Sequence, residues 1–403
     1  MSARSLNSPP MRRPLSISHN WLRARFAQRD FRYRGIVQVT LQPFLWLTSL
    51  CILVVASLSG CSPLYVLRAA YEEGKILWRR EPIVDFLSNP QVKPDTQEKL
   101  QLVLAVREYA RDVLKFNVGG SYSSYSYVDR PDLTYIVVAA PQTELRPYTW
   151  WFLIVGNVPY KGYFSKEEAQ AEIDRLHAQG YDTNMRTSAA FSTLGWFDDP
   201  LLSHLLRYDN TILSEIVFHE LFHNTLYVKG AGAFNESSAN FIGHVASSDF
   251  FRAKYGDGSA EYLDAVQAWQ EEREFGAFIA EMARTLGDLY SRDIPHADKL
   301  RLREEVFARS KAEWMRRIAD RPRHRFRAFS QRPLNNAVLM HYIVYLKDLD
   351  LFESLHESCG RDLLRTVKAL RQAVAKGGEP FEAVRTWMAK HKQESAVGFV
   401  SPR

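Results

Sequence analysis

Five residues, His219-Glu220-Leu221-Phe222-His223, constrain this chain more than any other feature in it. In a helix, positions i and i+4 share a face, so the two imidazoles stand about one turn apart and can point at a single zinc ion. Glu220 sits beside them, where its carboxylate can hold a water at the metal and take its proton. The neighbours Ile212, Ile216, Val217, Leu221, Phe222 and Leu226 supply apolar surface to dock such a helix into a core. The plainer alternative is a buried helix whose two histidines are satisfied by backbone groups.

The next residues supply a third ligand. Val228–Phe234 contains Gly230 and Gly232, the chemistry that ends one helix and turns the chain. Asn235 reads as the N-cap of a second helix, Glu236–Ala246, which returns antiparallel to the first. Glu236 then completes a His, His, Glu set with a fourth position left open, the arrangement of a catalytic zinc site. A carboxylate favoured by the helix dipole is the competing account of Glu236. His244 and Asp249 lie further along that helix and are weaker candidates. A metzincin pattern fails, because it needs glycine at Leu226 and histidine at Lys229.

The formal charge of +6 does not point to nucleic acid. Residues 1–60 hold eight of the 52 basic residues and one of the 46 acidic ones, so the remainder of the chain is near neutral. The arginine-rich stretch runs into an apolar segment, Leu45–Leu58, and then Leu58-Ser59-Gly60-Cys61. A basic region, a short apolar core and small residues before a cut describe a secretory signal. With cysteine at the cut, the pattern resembles a bacterial lipoprotein signal, which implies lipidation of Cys61. Ser62 follows, rather than aspartate, so a periplasm-facing position with outer-membrane delivery is expected. The other cysteines are Cys51, inside the signal, and Cys359, so a mature chain has no disulfide to form.

Beyond the signal (1–60), a tether covers 61–96, and a mixed subdomain covers 97–210. Within it, Gln97–Phe116 has helical spacing, and Val118–Val128, Leu133–Ala139, Trp150–Val155 and Asp182–Phe191 read as strands. Ser165–Gln179 reads as a helix capped by Ser165 and ended by Gly180. From 211 to 395 nearly every segment is helical. Strands first and helices afterwards predict the α+β class.

Two motif groups resemble a known family. The run His219–Gly230 with Phe234-Asn235-Glu236-Ser237, and the segments Tyr160–Phe164, Ser192–Leu201 and Leu334–Ala337, are similar to the putative aminopeptidases, a family of bacterial zinc-site lipoproteins. The resemblance runs from about Cys61 to Phe352. It departs at Trp151-Phe152-Leu153, where relatives carry Cys-Phe-Pro, away from the metal residues. It implies a zincin-like fold and a gluzincin-like hydrolase, with His219, His223 and Glu236 on Zn2+ and Glu220 as general base.

In zinc peptidases of this kind an edge strand beside the metal helix holds the substrate backbone. Thr187–Thr193 is the candidate strand, with Ser192 and Thr193 as substrate-binding residues, and Asp198-Asp199-Pro200 is the turn into the metal helix. An oxyanion donor is needed besides the metal. Tyr345 is the first candidate, then Tyr342 and His341, and Asn235 is a candidate supporting residue behind the ligands. Arginines 316–332 around Pro322 face either lipid headgroups or local acids. The expected function is a lipid-anchored, zinc-dependent peptide hydrolase, an aminopeptidase by resemblance. A zinc endopeptidase acting on envelope proteins or cell-wall peptides, and a non-catalytic zinc-binding lipoprotein, are the alternatives.

Overall fold

A period of two gives way to a period of 3.6 along this chain, and the architecture follows the change. The computed structural model describes residues 71–397 other than 73, 130–133, 153–155 and 189–197. Strand β1 (Glu81–Pro82) and helix α1 (Ile83–Leu87) lie within the stretch expected as a tether, and Ile83 is fully buried in the largest core. Helix α2 (Pro94–Asp112) follows, with proline in its first turn, where a missing N–H costs nothing. Strand β2 is only Ser124–Ser126, much shorter than the alternation around Val118–Val128 suggests. Tyr122 explains this: its φ of 58° breaks the extended backbone.

The main sheet is built on β3 (Thr134–Pro141), a β-branched and apolar run buried along nearly all its length. After the hairpin β4 (Trp150–Phe152) and β5 (Gly156–Val158) come β6 (Lys161–Tyr163), helix α3 (Lys166–Ala178) and β7 (Tyr181–Ser188). β3 sits between β6 and β7 and is antiparallel to both, so β7 is an edge strand among the described residues. Successive side chains point to opposite faces. Val137 and Ala139 meet Ala169, Ile173 and Leu176 of α3, whose i, i+4, i+7 spacing makes one stripe. Ile136, Val138 and Ala140 meet Ala337 and Met340 on the other side, from a helix that comes much later in the chain. Each such aliphatic burial contributes roughly 1.5–3 kcal/mol for side chains of valine or isoleucine size.

Strand β8 (Leu201–Leu202) pairs parallel to β2 and delivers the chain into the helical half. There follow α4 (Asn210–His223), α5 (Gly232–Tyr255), α6 (Ala260–Ser291), α7 (His296–Arg317), α8 (Asn336–Leu346), α9 (Leu349–Ser358), α10 (Leu363–Val374) and α11 (Pro380–Val397). α4 is enclosed by its neighbours and buries polar as well as apolar residues, Thr211, Ser214 and Glu215 among them. It buries Leu213, Val217, Phe218, Leu221 and Phe222 in a core shared with α2, α5 and α9–α11. A second core, around Phe275, Phe278, Trp314 and Phe329, joins α6, α7 and α8. The chain is thus α+β, strands mostly in the first half and helices in the second, as the sequence predicts. Among the described residues no helix is long and apolar enough to cross a membrane.

Candidate metal centre

Helix α4 starts where Asp209 accepts a hydrogen bond from the Ile212 N–H at 2.8 Å, satisfying one of the free N–H groups of the first turn. It ends at His223, and residues 224–231 turn the chain, with Gly230 in the left-handed region at φ 79°. α5 returns antiparallel. Glu236 faces the His223 end, Gly243 lies against Glu215 and His219, and the hydroxyls of Ser214 and Ser247 are 2.5 Å apart. Gly243 is what allows this approach: a Cβ there would stand 2.8 Å from the Glu215 carbonyl oxygen and 3.4 Å from the His219 Cβ.

The second helix starts one turn earlier than the sequence suggests, at Gly232, and runs to Tyr255 rather than Ala246. Asn235 is therefore not its cap. Its buried side chain instead clips the turn, the Oδ1 accepting from the Val228 N–H at 2.8 Å and the Nδ2 donating to the Val228 carbonyl at 2.9 Å. A side-chain amide paired with one residue's N–H and C=O holds the loop to the helix more firmly than a single cap bond, and it fixes where Glu236 begins its turn.

His219, His223 and Glu236 come together as a group that could hold a metal ion. The two Nε2 atoms are 3.1 Å apart, and the Glu236 Oε2 lies 3.4 Å from that of His219 and 3.8 Å from that of His223. A tetrahedral zinc with arms of about 2.1 Å has ligand-to-ligand edges of about 3.4 Å, so these donors fit zinc without rearrangement. The chemistry of the set fits as well. Burial, then the neighbouring His219, hold the His223 imidazole down at about 4, which leaves it neutral with a lone pair to give. Burial opposes ionisation of Glu236, yet hydrogen bonding from His219, the two imidazoles and the Tyr345 hydroxyl bring its carboxyl down to about 2. His219 moves the other way: burial disfavours its charge, but the Glu236 bond and the carboxylates of Glu220, Glu236 and Glu272 raise it overall. Burial is also the main influence on Glu220, pushing its carboxyl up to about 7 against the pull of His219.

Residues 64–379 match the family model described as "Putative aminopeptidase". The chain belongs to that family. No curated protein and no solved structure matches it. The family's span takes in both halves of the fold and the whole candidate centre of this putative aminopeptidase family member.

Of the other residues singled out from sequence, Tyr345 reaches the centre. Its hydroxyl lies close enough to Glu236 to help lower that carboxyl, after His219 and His223, and its ring stacks on that of His219 with centroids 6.3 Å apart. His341 lies behind it, ring to ring at 5.1 Å, and Tyr342 packs instead into the second core. Asn235 bonds the loop and not a ligand. Ser192 and Thr193, most of the proposed substrate strand, and Cys61 lie outside the described residues. The Asp198–Pro200 turn is anchored by the Gly120 N–H, which donates to Asp198 Oδ1 at 2.7 Å, and by the Tyr122 N–H on the Asp199 carbonyl at 2.8 Å. Tyr122 is buried close enough to Glu220 for that carboxylate to raise its phenol, after burial itself.

Sequence reasoning missed a second cluster, one helical turn behind the candidate metal residues of this family member. His244 lies between two carboxylates: its Nε2 is 2.8 Å from Glu272 Oε2, and its Nδ1 is 3.0 Å from Glu215 Oε1 without hydrogen-bond alignment. Burial opposes the charge, but Glu215 and Glu272 together raise the imidazole to about 10. Arg325 donates to Glu215 at 3.1 Å, and its backbone N–H donates to Glu271 at 2.9 Å. Asn240 bonds Glu272 and also the Tyr345 carbonyl, at 3.3 Å, tying α8 to the cluster. Four arginines of the 316–332 stretch pair with local acids: Arg316 and Arg317 with Glu313, Arg321 with Glu274, Arg325 with Glu215. In sequence His244 stands out only as a weaker ligand candidate, and Glu215, four residues before His219, shares that residue's helix face.

Proposed function

We propose that this member of the putative aminopeptidase family is a zinc-dependent peptide hydrolase, with His219, His223 and Glu236 as ligands and Glu220 as general base. The observation that supports it best is the triangle of donor atoms at 3.1, 3.4 and 3.8 Å, with a carboxylate next to it in sequence on the same helix. A zinc ion held there supplies Lewis acidity, polarising a carbonyl and acidifying a water. Glu220 accepts the proton of the attacking water and passes it to the leaving amine. Glu236 keeps its charge, and the hydroxyl of Tyr345, whose ring stacks on His219, is the group that donates to the oxyanion as it forms. The cluster behind α4 and α5 holds the two helices in register, so that the ligands stay convergent.

The aminopeptidase specificity rests on the family name. The lipid anchor rests on Leu58-Ser59-Gly60-Cys61. Mass spectrometry of membrane-extracted protein should find a mature chain that begins at lipidated Cys61, and an unmodified Cys61 would remove the anchor from this proposal. The hydrolase is tested by Glu220→Gln. Zinc content and fold should be retained while peptide hydrolysis falls by at least about a hundredfold. Cleavage at the parent rate would rule out Glu220 as the base. N-acetylation of the substrate should block cleavage; equal cleavage of blocked and free peptides would make the protein an endopeptidase.

A further inference from the structure

We infer that Arg186 is the carboxylate anchor of this site, which makes its substrates short peptides carrying a carboxylate close to the bond that is cleaved. The inference names a substrate class for the peptidase reading and rests on it.

The register of the sheet places Arg186 opposite Ile136, and Ile136 packs on α8. The pleat therefore turns Arg186 toward α8 as well. Asp182, four residues earlier on the same face, shows how a charge on this face is normally settled. It takes two bonds from Arg303, at 2.8 and 3.2 Å, and one from the Asn336 N–H at 2.9 Å. Arg186 has no such settlement. Among the described residues no carboxylate pairs with it, and its Nε is buried without a hydrogen-bond partner. Its guanidinium stands over the Tyr345 ring, Cζ to centroid 6.0 Å, and that ring stacks on the His219 ring. A fixed cation thus sits one aromatic ring away from the metal ligands, with its donors unspent.

The neighbouring charges do not spend them. The Glu236 carboxylate is engaged by His219, His223 and Tyr345. His341 is held neutral by burial first and by Arg186 itself next. A buried guanidinium donor left unpaired is costly, and a carboxylate meets its planar fork through two parallel bonds. The approach is also right for a peptide, because β7 is an edge strand among the described residues and a bound chain can extend it. A carboxylate on Arg186 then leaves the adjoining peptide bond beside Tyr345 and the centre. The α-carboxylate of a very short peptide and an acidic side chain share this chemistry.

The test is binding, not turnover, on the full chain stripped of metal by chelation. Calorimetry compares alanylalanine, alanylalanine amide and alanylglutamate amide. At least one of the two acids should bind about tenfold or more tighter than alanylalanine amide, the effect of a charge-assisted bond. Which one does so identifies the carboxylate as terminal or side-chain. Arg186→Met should abolish the preference and Arg186→Lys should keep part of it. Equal binding of acids and neutral amide, or an unchanged preference in Arg186→Met, would overturn the inference. Peptide cleavage by the zinc-loaded wild type is scored separately. A carboxylate preference in a protein that cleaves nothing fails the peptidase reading alone, and cleavage without the preference fails this inference alone.

Discussion

Two clusters of histidine and carboxylate lie about one turn apart on the same pair of helices, and they have opposite fates. In one, His219 and His223 turn their Nε2 atoms toward each other at 3.1 Å, with Glu236 closing the triangle. Two facing nitrogens cannot both carry a proton into the gap, so at least one of them presents its lone pair there. In the other, both ring nitrogens of His244 lie against carboxylates, Glu215 and Glu272, and the ring is held as a cation. A protonated imidazole has no lone pair to offer a metal. The residue types are nearly the same. What separates the candidate metal centre from the structural ion cluster is the share of anion: His219 and His223 have one carboxylate, Glu236, between them, whereas His244 has a carboxylate at each ring nitrogen.

That contrast can be broken from the structural side. His244→Leu leaves Glu272 without its paired cation and Glu215 with Arg325 alone, and should lower the unfolding free energy by about 3–5 kcal/mol. Zinc stoichiometry of the folded fraction should be unchanged, as measured by denaturant titration with metal analysis. Zinc loss with normal stability would make His244 part of the metal site. The same ring sets a pH signature. Its folded value, about 10, is above the unfolded value of about 6.5, so its stabilisation is complete below the latter. It is lost as pH rises through the former. Wild type should weaken by up to about 1.4 kcal/mol per pH unit across that window, and His244→Leu should not. Parallel pH profiles would contradict the charged state.

Gly243→Ala acts on both clusters, because it forces α4 and α5 apart between them. It should cost about 1–3 kcal/mol as overpacking and weaken zinc binding together with stability. A stable variant with unchanged zinc affinity would show that the helices tolerate the separation. Asp209→Ala removes only the cap of α4, and the expected loss is about 1 kcal/mol without change in zinc content. A larger effect on metal than on stability would mean that the cap positions the ligands.

The sequence carried local features well. Ser165 caps α3 by accepting from the Glu168 N–H, and Gly180 ends that helix at φ 80°, both as spacing and composition predict. The two histidines and Glu236 were equally legible, since a helix, a glycine turn and a second helix are all short-range signals. The errors came where a side chain chose a distant or unexpected partner. Asn235 reads as a cap, but its amide finds both backbone groups of Val228. Glu272 and Arg325 join His244 and Glu215 from separate parts of the chain, and no periodicity encodes that meeting. Arg186 is only one polar position in a strand until the register sets it above Tyr345.

If His219, His223 and Glu236 are the zinc ligands, loss of one imidazole must empty the site. Elemental analysis of purified wild type and His219→Ala tests it most directly, with circular dichroism to confirm that both are folded. Wild type should carry one zinc per chain and His219→Ala essentially none. Full zinc retention in folded His219→Ala would contradict the account.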